Sequence, residues 1–368
     1  MATVASEPPR AGLARRLLGS PVVDLLLGPH GVDRYLELIS PRLTLADARA
    51  EVVRVRRQTP RSVTLTLKPN AAWRGFQAGQ YVAAGFELNG VRRTRTYSPS
   101  CSQHAGRELE LTVTEHPGGA VSGHLLRSAR PGAIVHLAQA QGTFMLPQPR
   151  PERIVLISGG SGVTPVLSML RTLIDEKHDG QIRWLHFART EADWLYRAEV
   201  QALAARHPDL RIAYRVTRGP AARRLDAQGL KSLVGDADDA LAAVCGPPSL
   251  IEAVPEAWTQ LGGDAERVLS ETFTPPRARV SGDAATGTLH FLRSDRRAEI
   301  AAGTLLEQAE AAGLTPDFGC RMGICHTCTC RKAAGAVRNV LTGKVSDEEN
   351  EDIQLCVSVP AGDVALAL

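Results

Sequence analysis

The sequence predicts a multi-domain chain: an antiparallel β-barrel, then a doubly wound α/β domain, then a small α+β domain. Three observations carry this. Between Ala50 and about Leu146, apolar runs alternate with period two and are punctuated by turn residues. From Arg153 to Glu271, strand-like and helix-like segments alternate. Five of the seven cysteines fall after Gly319.

Residues 1–47 read as a helical extension, with short amphipathic helices over 13–18 and 32–39 split by Gly and Pro. Residues 48–148 read as the barrel. Ser62-Val-Thr-Leu-Thr-Leu67 and Leu109-Glu-Leu-Thr-Val113 alternate as half-buried strands do. The stiff run Pro147-Gln-Pro-Arg-Pro151 marks a boundary. In 149–274, the apolar segments 154–157, 182–187, 211–216 and 240–244 read as buried strands with helices between them, a doubly wound sheet. Residues 275–286 hold Pro275, Pro276 and Gly282 and read as a linker. The last domain is 287–368.

At 368 residues the chain is long enough for two or three domains of roughly 100–200 residues each. A net charge of +4 is too mild to imply nucleic acid. No apolar run approaches the roughly 18 residues that span a bilayer. The stretch from Pro21 to Leu27 contains Asp24 and is soon broken by Gly28 and Pro29, so no signal peptide is expected. The expected location is the cytoplasm, with peripheral contact to the inner face of the membrane left open.

Cys320, Cys325 and Cys328 give C-x4-C-x2-C, and Cys356 follows after 27 intervening residues. That is the plant-type spacing of four thiolates on a [2Fe–2S] cluster. Three sulfurs must converge from one loop, so its backbone must wrap the cluster; Gly319 and Gly323 supply the unusual angles. Arg321 is expected to place positive charge beside the anionic cluster. Zinc usually takes paired C-x-x-C units, and only one such pair is present. Cys330 duplicates no ligand position and reads as a packed thiol. Rieske-type ligation through His326 would need a second histidine.

Arg95-Thr-Tyr97-Ser98 closes a barrel strand. Alternation puts Arg95 and Tyr97 on one face, a cation for a diphosphate and an aromatic for a flavin ring, with the Ser98 hydroxyl for the ring's polar edge. The tetrapeptide alone equally fits a surface strand; its place before a nucleotide domain and a cluster domain favours flavin. Gly118, Gly119 and Ser122 lie at a predicted helix start and offer N–H groups and a hydroxyl to a phosphate. In the next domain, strand 154–157 runs into Ser158-Gly159-Gly160-Ser161-Gly162-Val163-Thr164-Pro165 and then a helix expected from Val166. Strand, glycine turn and helix N-terminus make a diphosphate cradle. Cys245-Gly246-Pro247 stands at another carboxyl strand end, where open α/β sheets bind ligands. Cys245 reads either as a nicotinamide contact or as a small buried hydrophobe. Arg189 follows strand 182–187 and suits a 2′-phosphate, which favours NADPH over NADH, although Glu191 is near.

These four motifs, in this order, resemble the ferredoxin–NADP reductase superfamily, in its oxygenase-reductase branch with a C-terminal plant-type ferredoxin domain. The resemblance covers roughly 48–368. It implies a flavin, FAD rather than FMN, on the barrel, and a β-grasp fold for the cluster domain. It places Thr164 and Pro165 near nicotinamide and flavin, and Glu271-Thr-Phe273 near the flavin. The implied catalytic set is Tyr97, Ser98, Thr164, Cys245 and Glu271. Read from the residues alone, Glu271 and Phe273 equally mark a strand end. The helical extension, the loop 320–328 and Val337-Arg-Asn-Val-Leu-Thr-Gly343 resemble reductases of membrane-bound acyl desaturases. Reductases of ring- and steroid-hydroxylating oxygenases are close relatives.

The expected function is a reductase. NADPH gives two electrons at once and the cluster accepts one, so a flavin must stand between them. The partner is then an external acceptor, an oxygenase or an acyl desaturase. A redox-sensing binding protein is the alternative, but it would not need a complete nicotinamide site. The acidic run Asp347-Glu-Glu-Asn-Glu-Asp352 reads as a solvated turn or as a surface that steers a basic acceptor. Basic residues from Arg10 to Arg16 suit an anionic membrane.

Overall fold

A computed structural model describes residues 31–220, 222–273, 286–319, 321–323 and 326–368. The predicted helix over 13–18, the basic segment and most of the linker lie outside the described residues. The chain divides into two compact units: one runs up to Thr272 without Thr94–Thr96, and the other takes in Thr94–Thr96 and the chain from Phe273 onward.

The first unit opens with helix α1 (Gly31–Ile39). Asp33 accepts from the amides of Leu45 and Ala46 at 2.6 and 3.1 Å, and Glu37 pairs with the buried Arg49 at 2.5 Å. The end of the extension is thereby tied to the barrel. Six strands follow: β1 (Ala48–Thr59), β2 (Ser62–Pro69), β3 (Val82–Leu88), β4 (Val91–Tyr97), β5 (Leu109–Thr114) and, after helix α2 (Ala120–Ser128), β6 (Ile134–Leu137). Their order is β4-β3-β6-β1-β2-β5, which leaves β4 and β5 as the two edges. Just past β4, Pro99 bridges Leu111 of β5, and the Ser100 amide donates to the Glu110 carbonyl at 2.9 Å. The sheet thus closes on itself, the usual way an antiparallel sheet satisfies its edges.

The alternation in β2 is as read, but the strand is not half-buried: 62–67 are buried on both faces. Val63, Leu65 and Leu67 enter the barrel core. On the other face Ser62, Thr64 and Thr66 are also covered, because Tyr196 of the next layer stands over Thr64. Hydroxyl pairs Ser62–Thr114 and Thr64–Thr112 satisfy the buried oxygens.

The second layer is a parallel sheet, order β11-β10-β7-β8-β9. Its elements are β7 (Arg153–Gly159), α3 (Val163–Asp175), β8 (Gln181–Ala188), α4 (Arg197–Ala204), β9 (Leu210–Val216), α5 (Ala227–Val234), β10 (Leu241–Gly246), α6 (Pro248–Gln260) and β11 (Val268–Thr272). The chain moves outward from β7 to β9, then returns to the other side of β7. The switch point therefore lies between β7 and β10, where doubly wound sheets bind ligands. Both motifs of this domain, the glycine turn and Cys245-Gly246-Pro247, sit there.

The second unit is a mixed sheet of β12 (Thr288–Phe291), β13 (Arg296–Glu299), β14 (Thr329–Asn339), β15 (Val345–Ser346), β16 (Glu351–Gln354) and β17 (Ser358–Leu366), with α7 (Leu305–Ala311) packed on it. A capping box between Thr304 and Glu307 starts α7. Lys332 is fully buried, its ammonium held by the carbonyls of Gly335 and Glu348 and by the Glu351 carboxylate.

Candidate functional site

β4 ends at the barrel seam and carries Arg95 and Tyr97 on one face, both half-buried. Tyr97 packs edge-on against Phe86, ring centroids 6.1 Å apart. Ser98 is buried, and among the described residues its hydroxyl has no partner within ordinary hydrogen-bond distance, although it lies near enough to the Glu271 carboxyl to influence it. A buried hydroxyl without a partner calls for an acceptor or donor from elsewhere. The Gly118–Gly119 turn precedes α2 as expected, with Gly118 at φ 74°. Ser122, however, is not turned to a phosphate. Its oxygen accepts from the His116 amide at 3.1 Å and donates to the Gly119 carbonyl at 3.3 Å. A serine this close to a helix start is the nearest partner for its stranded backbone groups.

On the nicotinamide side, β7 passes through a 3-10 turn (Gly160–Gly162) directly into α3. The helix begins at Val163, three residues before the expected Val166, so Pro165 falls within its first turn, where its missing N–H costs nothing. The glycines are dictated by the neighbouring strand. A Cβ on Gly162 would lie 2.2 Å from the Cys245 carbonyl oxygen, and one on Gly159 would lie 2.8 Å from the Pro247 ring. Gly246 likewise has no room for one, with Leu250 at 2.9 Å. Thr164 is buried and donates to the Ser161 carbonyl at 3.2 Å.

Cys245 is fully buried in β10, in register with Ser158 on one side and Glu271 on the other. Burial, with the Glu271 carboxyl adding to it, pushes the thiol well above its ordinary range, so it is neutral. Burial likewise pushes Glu271 up to about 8, with the Ser98 hydroxyl opposing. Its Oε2 is inaccessible and unpartnered, so Ser98 tempers the shift without satisfying that oxygen. A carboxyl of this kind carries its proton at neutral pH and can donate. Ser98 of the flavin motif thus stands near Glu271, the cross-strand partner of Cys245 in the nicotinamide domain. Unpartnered polar atoms on one side and glycines without room for a side chain on the other fit a flavin and a nicotinamide. Phe273 follows β11 and is half-buried.

Arg189 is exposed just past β8, and the Arg218 amide donates to its carbonyl at 3.1 Å. Glu191 pairs with Arg197 at 3.3 Å. Sequence reasoning missed the support beneath the cradle. Ser158 Oγ bonds His186 Nδ1 and accepts from Trp184 Nε1, each at 2.8 Å. Burial lowers His186 to about 4, so it is neutral. The signal was present in the strand register, which sets Ser158 opposite His186.

In the second unit, Cys328 precedes β14 and Cys356 lies in the 3-10 turn Leu355–Val357, both buried. Cys320 and Cys325 lie outside the described residues. The Gly323 amide donates to Cys356 Sγ at 3.2 Å, and Gly323 has φ 74° with no room for a side chain beside Val357 and Leu341. An amide aimed at a buried sulfur suits a thiolate-held [2Fe–2S] cluster, whose potential such bonds tune. Arg321 does not stand as free charge. It pairs with Glu310 at 2.5 Å and lies 4.0 Å over the Phe318 ring. His326 Nδ1 is bonded by the Gln354 amide at 3.0 Å, and Gln354 also donates to the Gly323 carbonyl. Cys330 sits in β14 with its thiol pushed up by burial, as a packed thiol would.

Comparison with known proteins extends this geometry. A family model described as an oxidoreductase FAD-binding domain matches residues 52–146. An oxidoreductase NAD-binding domain matches 156–256, and a 2Fe-2S iron-sulfur cluster binding domain matches 290–361. The chain is 38% identical over 339 residues to an NADPH oxidoreductase of Mycobacterium tuberculosis, covering 91% of this chain and 88% of the relative. It is 28% identical to the glycine betaine monooxygenase reductase subunit of Pseudomonas aeruginosa, covering 79% and 87%. Among solved structures, phthalate dioxygenase reductase aligns with a TM-score of 0.61 at 22% identity, covering 87% of this chain and 97% of that one, a likeness of fold.

Proposed function

The chain belongs to the ferredoxin–NADP reductase superfamily, in the branch with a C-terminal [2Fe–2S] ferredoxin domain, and we propose that it passes electrons from NADPH through FAD and its own cluster to a separate oxygenase. It is an NAD(P)H-dependent oxidoreductase. The observation that carries the reading is the approach of Ser98 to Glu271, the cross-strand partner of Cys245, which brings the flavin motif to the nicotinamide domain. Flavin supplies the exchange between two-electron and one-electron chemistry. The residues supply the rest. Arg95 faces the phosphates, Tyr97 covers the ring, and Ser98 bonds its polar edge. The 159–162 turn accepts the nicotinamide diphosphate, protonated Glu271 donates a hydrogen bond, and Cys245 keeps the contact dry. Cys320, Cys325, Cys328 and Cys356 hold the cluster.

Relatives named as monooxygenase reductases favour an oxygenase as acceptor. An acyl desaturase is the narrower alternative, supported by the extension and the 337–343 segment. NADPH is favoured by exposed Arg189 and by the name of the mycobacterial relative. The place of action is the cytoplasm. No helix among the described residues is long and apolar enough to cross a membrane. Peripheral contact is supported by Leu38 and Ile39, 78% and 77% exposed on α1. Cosedimentation with anionic liposomes tests it, and a Leu38→Ser, Ile39→Ser variant sedimenting like the parent would remove it.

The deciding experiment is anaerobic titration with NADPH, followed by low-temperature EPR. The flavin should bleach and a reduced [2Fe–2S] signal should follow. Flavin bleaching with no cluster signal, in protein shown to contain iron, would sink the proposed route. Cys356→Ser should lose the signal and Cys330→Ser should keep it.

A further inference from the structure

One hydroxyl of the nicotinamide-binding layer meets three hydroxyls of the barrel. Tyr196 lies just before α4, buried, with left-handed backbone angles (φ 58°, ψ 17°). A bulky residue is uncommon in that conformation and persists where its surroundings enforce it. Its ring points away from its own domain's sheet and into the barrel wall. The phenol oxygen lies 3.1 Å from both Thr64 Oγ1 and Ser100 Oγ, and also bonds Thr112 Oγ1. Thr64 and Thr112 are cross-strand partners in β2 and β5. Ser100 belongs to the seam that closes the barrel.

A second group holds the same seam. Arg171 of α3 lies 5.4 Å from the Tyr196 ring centroid. It donates to the Ser100 carbonyl at 2.7 Å and pairs with Glu110 and Glu199 at 2.8 and 2.6 Å. Further along α3, Ser168 donates to the Cys101 carbonyl at 2.6 Å, and Thr172 accepts from the Gln103 amide at 3.1 Å. The nicotinamide domain therefore grips residues 100–103 along their length. Two residues upstream of that grip stands Ser98, which faces Glu271.

We propose that Tyr196 is a positioning residue for flavin reduction: acting through Ser100, it sets where Ser98 stands against Glu271, and so aligns the flavin-side and nicotinamide-side halves of the site. No bond forms or breaks at Tyr196. The proposal rests on the flavin–nicotinamide reading of that site. Its logic is geometric. Transfer between two bound rings depends steeply on their alignment, and a shift of about 1 Å can cost on the order of a hundredfold in rate.

Tyr196→Phe keeps the ring beneath Arg171 and removes only the hydroxyl; Thr64 and Thr112 still bond each other at 2.7 Å. In the holoprotein, flavin content should match the parent. Flavin reduction at saturating NADPH should slow roughly tenfold, with the NADPH dissociation constant changed less than about twofold. Amide hydrogen exchange over 98–103 should speed up in the oxidised, nucleotide-free protein, while exchange in the second unit stays unchanged. Combining Tyr196→Phe with Ser100→Ala should slow reduction no further than the slower single variant, because both act at one joint. Parental reduction rates and parental exchange in Tyr196→Phe would overturn the proposal. So would full additivity with Ser100→Ala. If Tyr196→Phe does not fold, Ser100→Ala alone must show the same slowed reduction and faster exchange, and parental behaviour there is equally decisive. A parent protein that neither NADPH nor NADH reduces would instead remove the functional reading, leaving the exchange comparison as the test of the joint.

Discussion

Two glycine turns in the first unit look alike in sequence and are built for different reasons. In the turn before α3, the glycines are required by what lies behind them: Cβ atoms on Gly159 and Gly162 would strike Pro247 and the Cys245 carbonyl. In the turn before α2, a Cβ on Gly118 would meet nothing within 4 Å, one on Gly119 would meet only the turn's own Ser122 hydroxyl at 2.5 Å and His116, and the turn is held by that serine. The first is a joint between two strands at the switch point. The second is a self-contained cap on an open surface. A glycine motif therefore marks a phosphate site with force only where packing, and not local turn chemistry, excludes the side chain.

The sharpest way to break this comparison is to add one methyl group to each turn. Gly162→Ala should force the 159–162 turn away from β10 and slow NADPH-driven flavin reduction by roughly tenfold or more, since the cradle loses its alignment. Stopped-flow absorbance at the flavin maximum measures it, and a loss smaller than twofold would show that the joint tolerates displacement. Gly118→Ala meets only the backbone penalty of a positive φ, about 1–2 kcal/mol of stability, and should leave the reduction rate alone.

Next in size is the exposed side of the nicotinamide site. Arg189→Ala should weaken NADPH by about 1.5–3 kcal/mol, the value of a charged hydrogen bond, and barely move NADH. Kinetics with both cofactors decide it; equal losses would mean that Arg189 serves the loop and not the phosphate.

Glu271 sharpens the comparison from the buried side. Its folded pKa, about 8, lies above the value an unfolded carboxyl shows. Below the unfolded value both states hold the proton and no penalty arises. As pH rises towards 8, the unfolded chain releases its proton while the fold retains it, so stability falls. The parent's thermal midpoint should therefore drop, relative to that of Glu271→Gln, between about pH 5 and about pH 8. Parallel curves for the two proteins would place the carboxyl in a more polar setting. The smallest effect belongs to the open turn. Ser122→Ala should cost about 1 kcal/mol, the worth of a local hydrogen bond, and leave flavin occupancy unchanged.

What the sequence made legible was local or repetitive. The four cysteines are recognisable because three ligands must come from one short loop. Four of the five strands of the parallel sheet are recognisable because apolar residues recur in short segments between helical stretches; β11 (Val268–Thr272) was read only as a possible strand end. Pairings between distant segments were hidden. Nothing in β2 announces that its polar face will be buried, since the covering residue, Tyr196, is 132 positions from Thr64. Arg321 reads as charge for the cluster until Glu310 is seen to take it up. The acidic run is similarly divided. Asp352 pairs with Arg331 at 2.8 Å and Glu351 with buried Lys332 at 3.6 Å, which leaves Asp347, Glu348 and Glu349 exposed and without an ion pair among the described residues. Any assay of acceptor steering should neutralise those three.

The closure of the barrel has a consequence for how the protein is assembled and lost. The strand that bears the flavin motif is an edge strand, and the residues that zip it to the opposite edge, Pro99 and Ser100, follow that motif directly. A flavin bound at that motif would add to the closure that Tyr196 and Arg171 already supply from the nicotinamide domain. A flavin that favours the zipped form raises the barrel's melting point by mass action, in proportion to the logarithm of its free concentration.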